Sequence, residues 1–129
     1  MDTRDKIVDS SRAAALVAAL RSNGSALKVV TGYFDVLIAE HSRRLREVAN
    51  GADILFAVVL DPPDPVLGAR ARTELVAALG VVDYVVPSGE TAAQALLSLF
   101  TADEIVREES ADLLRARRLT EHVQRRNQP

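Results

Sequence analysis

Asp35, Glu40 and His41 follow a short β-branched segment, residues 27–31, within ten positions of its end. Gly32 separates these side chains from the segment. A loop that joins a strand to a helix binds anions well, because the first backbone N–H groups of the helix have no partner and glycine admits a close approach. The spacing matches neither Gly-x-x-x-x-Gly-Lys, the signature of P-loop ATPases, nor Gly-x-Gly-x-x-Gly, the signature of dinucleotide-binding sites. The sequence therefore gives no motif-based support for either class.

The same residues also allow structural roles. Glu40 and His41 could act as an acid/base pair, although adjacent helical residues diverge by about a third of a turn, which makes joint action on one atom awkward. His41 could instead fill space beneath the loop, and Asp35 could organise the loop through backbone N–H groups, as Asp does in many turns without ligands. Arg70 and Arg72, after a proline-rich loop, could face an anion or form ion pairs on a helix surface.

The elements that would position these residues alternate between helix and strand. This alternation predicts an α/β protein with a three-layer, Rossmann-like parallel sheet and an added C-terminal helix. A fourth strand could lie near residues 100–106, or a partner subunit could complete the small sheet. The charges of the last helix predict a solvated face with i,i+4 pairs. The predicted helices are 12–21, 38–50, 66–79, 91–99 and 103–126, and the predicted strands are 27–31, 54–60 and 81–86.

In open parallel sheets, ligands bind beyond the carboxyl ends of the strands. This rule selects two loops, 32–37 and 61–65, as the places where chemistry would occur. The length of 129 residues favours one domain, 1–129. It would consist of an N-terminal helix (1–24), an α/β core (25–100) and a C-terminal helix (101–129).

Composition excludes several classes of protein. Lys and Arg number 16 against 18 Asp and Glu, a net charge of −2, so we expect no nucleic-acid partner. No apolar run is long enough to predict a membrane helix, and the charged start of the chain lacks the apolar core of a signal peptide, which favours a cytoplasmic location. The absence of Cys excludes disulfides and thiol catalysis, and two distant histidines, His41 and His122, predict no metal site.

Three segments, in order, resemble one enzyme family. Residues 28–41 resemble the opening T-x-G-x-F-D-x-L-H-x-G-H of the cytidylyltransferase-like nucleotidyltransferases, a family that includes the adenylyltransferase domain of heptose biosynthesis and glycerol-3-phosphate cytidylyltransferase. Residues 53–61 are similar to the family's G-D-x-L-x-V-x-V-x-x-D stretch, and residues 72–86 to its R-x-E-x-L-x-A-L-x-x-V-D-x-V segment. The resemblance covers about residues 14–100.

The resemblance implies nucleotidyl transfer from ATP or CTP, with Mg²⁺, to a phosphorylated small molecule. It implies that His41 is the catalytic candidate and that Arg72 is a weaker contact to the nucleotide. The remaining nucleotide-binding candidates lie in the first loop: Gly32, Tyr33, Phe34 and Asp35.

The departures from the family's pattern predict weak or lost catalysis. The family's H-x-G-H is replaced by Ile38-Ala39-Glu40-His41, so one imidazole becomes a hydrocarbon and the glycine becomes a carboxylate. Losing one preorganised donor costs ~10²–10³ in rate, and a like charge ~4 Å away costs about 4 kcal/mol at an effective dielectric constant near 20. The family's later I-S-S-T-x-x-R type of motif is not found. We hypothesise that Glu40, near a helix start, takes the electrostatic role of a phosphate.

Two functions remain open after this comparison of residues. The chain could keep some nucleotide binding or slow transfer, or it could be a non-catalytic module for ligand sensing or protein association. The small sheet and the long terminal helix also make a homodimer plausible.

Overall fold

A computed structural model describes residues 2–127. Its regular elements alternate between helix and strand, as the sequence predicts, and they begin and end close to the predicted positions. Single 3-10 turns lie at Thr3–Lys6 and Ala102–Glu104. The helices are α1 (Ser10–Ser22), α2 (Ala39–Ala49), α3 (Ala69–Ala77), α4 (Glu90–Leu97) and α5 (Glu109–Arg126), and the strands are β1 (Leu27–Gly32), β2 (Ile54–Val59), β3 (Tyr84–Pro87) and β4 (Ile105–Arg107).

The four strands form one parallel sheet in the order β3-β2-β1-β4. The chain moves outward from β1 through β2 to β3 and then returns to the other side of β1 as β4. The predicted Rossmann-like sheet is confirmed, and the possible fourth strand near 100–106 is present, because β4 pairs with β1 from Val29 to Thr31. The two centre strands are almost wholly buried, as expected for strands covered on both faces.

Helices cover both faces of the sheet, which gives three layers. One apolar cluster joins α1 and α4 to the sheet, and its members include Val17, Val29 and Phe56. The other joins α2 and α3 to the opposite face, with Leu45 and Val76 among its members. Side chains alternate between faces along a strand, so β1 and β2 contribute to both clusters.

Three predicted boundaries are wrong. The strand predicted at 81–86 begins only at Tyr84, since Val82 still belongs to a turn in which its amide donates to the carbonyl of Leu79 (3.2 Å). The helix predicted at 66–79 begins only at Ala69: the backbone of Gly68 is extended, and the amides of Val66 and Leu67 donate to Asp35 (2.7 and 2.9 Å) in the loop before the helix. The helix predicted at 103–126 is interrupted by β4 and begins at Glu109, since the β-branched residues before it pair with β1. Within residues 2–127, no helix is both long enough and apolar enough to cross a membrane.

Candidate functional site

The candidate site lies at the carboxyl ends of β1 and β4, where the order of the sheet reverses. In open α/β sheets this switch point is the usual place for a ligand, because the loops after the two strands separate there. The loop after β1 carries Tyr33 and Phe34, and the backbone of Glu108, after β4, donates to the carbonyl of Thr31 (2.8 Å). The start of α5 therefore lies directly against the first loop.

Asp112, in the first turns of α5, is the centre of this site. Its Oδ2 accepts hydrogen bonds from the backbone amides of Tyr33 (2.8 Å) and Phe34 (3.1 Å). Its Oδ1 accepts from His41 Nε2 (2.8 Å) and Arg115 Nη1 (2.9 Å). The side chain of Asp112 is 1% exposed, so a carboxylate removed from water takes all four of these bonds.

The hydrogen bonds of His41 assign its tautomer. Nδ1 accepts from the backbone amide of Ile38 (3.1 Å), so Nδ1 carries no proton and Nε2 must be the nitrogen that donates to Asp112. The ring is therefore neutral in this arrangement. It is buried beside Phe34, with 5.9 Å between the ring centroids. Both ring nitrogens are thus engaged within the chain.

Opposing effects set the pKa of Asp112. Burial raises the pKa of this carboxyl group, because it penalises the charged form. The hydrogen bonds from His41 and from the backbone amides of Phe34 and Tyr33 favour the charged form and outweigh burial, so the pKa of Asp112 lies below its ordinary value. The site is thus built to hold an anion.

A second group of charges surrounds this centre. Arg115 lies 3.8 Å from Glu108, and Arg44 forms a hydrogen-bonded ion pair with Glu108. Arg115 Nε is 3.4 Å from Glu40 Oε1, close enough for charge attraction but without a hydrogen bond. Glu40 is half-exposed and faces Arg115. Asp112, and not Glu40, contacts the loop amides, and the hypothesis that Glu40 takes the electrostatic role of a phosphate stays a prediction.

Asp35 and Arg72 join the two loops that the sequence selects. In the structure the second loop runs from the end of β2 to the start of α3, and Asp35 accepts from its amides at Val66 and Leu67 rather than from amides of the first loop. Arg72 is 1% exposed and donates to the carbonyls of Leu67 (3.0 Å), Tyr33 (3.1 Å) and Leu60 (2.7 Å), and to Asp61 Oδ1 (2.6 Å). This position is neither a solvated helix surface nor an open binding site. A contact between Arg72 and a nucleotide stays a prediction.

Gly32 allows the close approach on which this site depends. A Cβ atom at this position would lie 2.6 Å from Asp112 Oδ2, which is closer than real Cβ contacts come. Only a residue without a side chain lets the carboxylate reach the amides of Tyr33 and Phe34. Phe34 itself has a positive φ of 50°, a conformation that is uncommon outside glycine and that turns the backbone into the loop.

A cavity of about 220 Å³ lies beside Asp112. Tyr33 and Asp35 line it from the first loop, Pro63 from the second loop and Leu113 from α5. Sites for small molecules are typically about 300–1,000 Å³, so this cavity is small for a nucleotide. Among residues 2–127, no three His, Cys, Asp or Glu side chains are grouped so that they could hold a metal ion.

The sequence identified one half of this site and missed the other half. Gly32, Tyr33, Phe34, Asp35 and His41 lie together in the first loop and at the start of α2, and Arg72 lies behind them. The missed residues are Asp112, Glu108 and Arg115, which the sequence places on a solvated helix face but which are buried. Their spacing, i, i+4 and i+7, puts them on one side of a helix, and this was the available signal.

Comparison with known proteins gives a partial match. No family model matches the chain. The bifunctional protein HldE of Hydrogenovibrio crunogenus is 31% identical over 101 residues, and HldE of Vibrio vulnificus is 33% identical over 100 residues. The chain is similar to HldE. These alignments cover 71% and 70% of this chain but 21% of each relative, so the similarity concerns about a fifth of HldE.

Proposed function

We propose that this chain is a nucleotidyltransferase-like domain in which nucleotidyl transfer is weak or lost. The similarity to about a fifth of HldE, together with the three segments that resemble the cytidylyltransferase-like nucleotidyltransferases, supports the first half of this proposal. The parallel sheet, with a loop and a helix start at its switch point, supports it as well, since this is where such folds bind nucleotides.

The observation that carries the loss of activity is the state of the segment from Ile38 to His41. Ile38 offers no polar side-chain atom, and both ring nitrogens of His41 are bonded within the chain. Catalysis at phosphorus depends on preorganised donors that face the developing charge. A segment whose ring N–H already faces Asp112 does not offer that donor to a nucleotide.

Magnesium and a nucleoside triphosphate do not fit the arrangement as it stands. Three of the carboxylates beside the site are engaged, Asp35 by two amides, Glu108 by Arg44, and Asp112 by four donors. Asp64, at the exposed rim of the cavity, is a single carboxylate, and the donors that would hold the phosphates are already bonded to Asp112. Magnesium usually binds through one or two carboxylates and the phosphates of its substrate. No catalytic step through the ion or the nucleotide follows from this geometry.

A turnover assay tests the proposal. Pyrophosphate release is measured with ATP or CTP, Mg²⁺, and sugar phosphates or glycerol 3-phosphate as acceptors. We expect rates at or near the enzyme-free blank, with His41→Ala indistinguishable from the wild type. A rate of about 1–10 s⁻¹, common for enzymes, that is abolished in His41→Ala would overturn the loss of activity.

A second candidate function is association between two copies through α5. Every side chain from Arg117 to Asn127 is exposed, and Leu119 and Val123 are 37% and 48% exposed on this projecting part of the helix. If this part forms a homodimer, Leu119→Glu should yield monomers in sedimentation velocity. Thr120→Glu, one position further on, adds the same charge and should leave a dimer intact. A wild-type monomer at all concentrations would reject this candidate.

A further inference from the structure

We propose that α5 is autoinhibitory: the Asp112 carboxylate occupies the anion position of the site, and an external phosphate enters only when the start of α5 moves away. We call residues 108–115 the latch segment. The class of ligand, a phosphate-bearing nucleotide, rests on the proposed function. The displacement of Asp112 by an anion is independent of the proposed function.

The donors around Asp112 are those that a phosphate group would use. Two consecutive backbone amides, one ring N–H and one guanidinium converge on a single carboxylate. Backbone amides at a turn and arginine are common phosphate ligands because they present several N–H groups to one anion. Since Asp112 takes the N–H groups of both amides and of the His41 ring, a second anion would meet these occupied donors and a like charge.

Space also excludes simultaneous occupation. The Asp112 carboxylate packs so tightly against the Gly32 backbone that not even a methyl group fits between them. The adjoining cavity of about 220 Å³ is bounded by Asp112 and Leu113. Movement of the latch segment would therefore enlarge the cavity and free the three donors that lie outside the segment, the amides of Tyr33 and Phe34 and the ring N–H of His41.

The packing of α5 makes such a movement possible without opening the core. In the described part of the chain, neither of the two apolar clusters that flank the sheet contains a residue of α5. The helix is held instead by polar contacts of the latch segment: Glu108 with Thr31 and Arg44, Asp112 with the first loop and His41, and Arg115 with Glu40. Elements with few buried apolar contacts open at lower free energy than the core does.

The first experiment compares Asp112→Ala with Glu121→Ala. Both substitutions remove one carboxylate from α5, but Glu121 is exposed and far from the site. Inorganic pyrophosphate is titrated into each protein while the amide resonances of Tyr33 and Phe34 are followed by NMR, after circular dichroism has shown that each variant folds. We expect pyrophosphate to bind Asp112→Ala at least about tenfold more tightly than Glu121→Ala or the wild type, equivalent to about 1.4 kcal/mol.

The second experiment uses the wild-type chain, so it decides the matter even if Asp112→Ala does not fold. Hydrogen exchange of the Asp112 amide, which donates to the Glu108 carbonyl (2.8 Å), is measured with and without millimolar pyrophosphate. A ligand that binds only the open form raises its population, so exchange at Asp112 should accelerate while exchange at Val29 in β1 stays unchanged.

Two results would overturn the autoinhibitory role of α5. One is equal affinity for pyrophosphate in folded Asp112→Ala and Glu121→Ala. The other is a shift of the Tyr33 and Phe34 resonances in wild type with no change in exchange at Asp112. If Asp112→Ala binds pyrophosphate more tightly but binds ATP and CTP no better than pyrophosphate, the autoinhibition holds and the nucleotide ligand of the proposed function fails.

Discussion

Replacing Arg72 by methionine is the sharpest test of how the candidate site is held together. Methionine keeps much of the buried aliphatic volume but removes the guanidinium, which donates to three backbone carbonyls and to Asp61. If Arg72 is structural, the loss should destabilise the whole fold. If Arg72 is held ready for a nucleotide, its loss should affect ligand binding and leave stability almost unchanged.

The expected magnitude follows from the contacts. A buried acceptor left without its donor costs about 1–3 kcal/mol, and three carbonyls lose a donor. Two effects reduce the total cost of these lost hydrogen bonds. Asp61 is 69% exposed, so water can solvate its carboxylate again. The variant also no longer bears the cost of burying the guanidinium of Arg72. We therefore expect a loss of about 2–4 kcal/mol in the free energy of unfolding, a large part of the 5–15 kcal/mol typical of a domain.

Urea unfolding followed by circular dichroism measures this loss. With a slope of about 2 kcal/mol per molar urea, the middle of the usual range, the midpoint of Arg72→Met should fall by roughly 1–2 M. Arg70→Met is the matched control, because Arg70 is 86% exposed in the same helix and pairs with Glu74 at the surface. Its free energy of unfolding should stay within about 0.5 kcal/mol of the wild-type value. Equal midpoints for the two variants would refute the structural role of Arg72.

Three further predictions concern the neighbours of Arg72. Gly32→Ala should lower the free energy of unfolding by about 1–3 kcal/mol, because its Cβ would displace Asp112, whereas Gly80→Ala, with no atom within 4 Å of the new Cβ, should not; thermal melts that change equally would contradict this. Asp35→Ala should make the second loop more sensitive to limited proteolysis, since two amides lose their acceptor, and exposed Asp64→Ala serves as the control. The folded state lowers the pKa of Asp112 below its ordinary value of 3.8, so its stabilisation is complete above that value and is lost as the pH falls through the lower folded-state pKa. Urea midpoints should therefore drop less steeply in acid for Asp112→Asn than for wild type, and identical pH profiles would count against the assignment.

The sheet could be predicted from local patterns in the sequence. The apolar run ending at Val59 and the β-branched segment after Leu27 predict buried strands, and helices with punctuating glycines separate them. The element that was hardest to predict was β4, because a three-residue strand before a long charged helix is too short to show a periodicity of its own. It is a strand only because β1 offers an unpaired edge beside it.

The candidate site could be predicted only in part. The first loop stood out because Gly32, Asp35 and His41 follow a strand directly, and the structure places them together. The role of Arg72 was not predictable, since its acceptors come from two separate loops. The boundary error at α3 has the same origin, because Val66 and Leu67 are held in a loop by Asp35, which lies 31 and 32 positions earlier in the chain.

The sequence by itself determined the alternation of strands and helices, the parallel sheet, and the loop in which chemistry would occur, because these follow from periodicity and turn residues over short stretches of chain. Only the tertiary structure decided what fills that loop. Asp112 and His41 are 71 positions apart, and a carboxylate on a charged helix looks the same in sequence whether it faces water or four converging donors. Its role depends on which groups surround it, and the packing of α5 against the ends of β1 and β4 sets those surroundings.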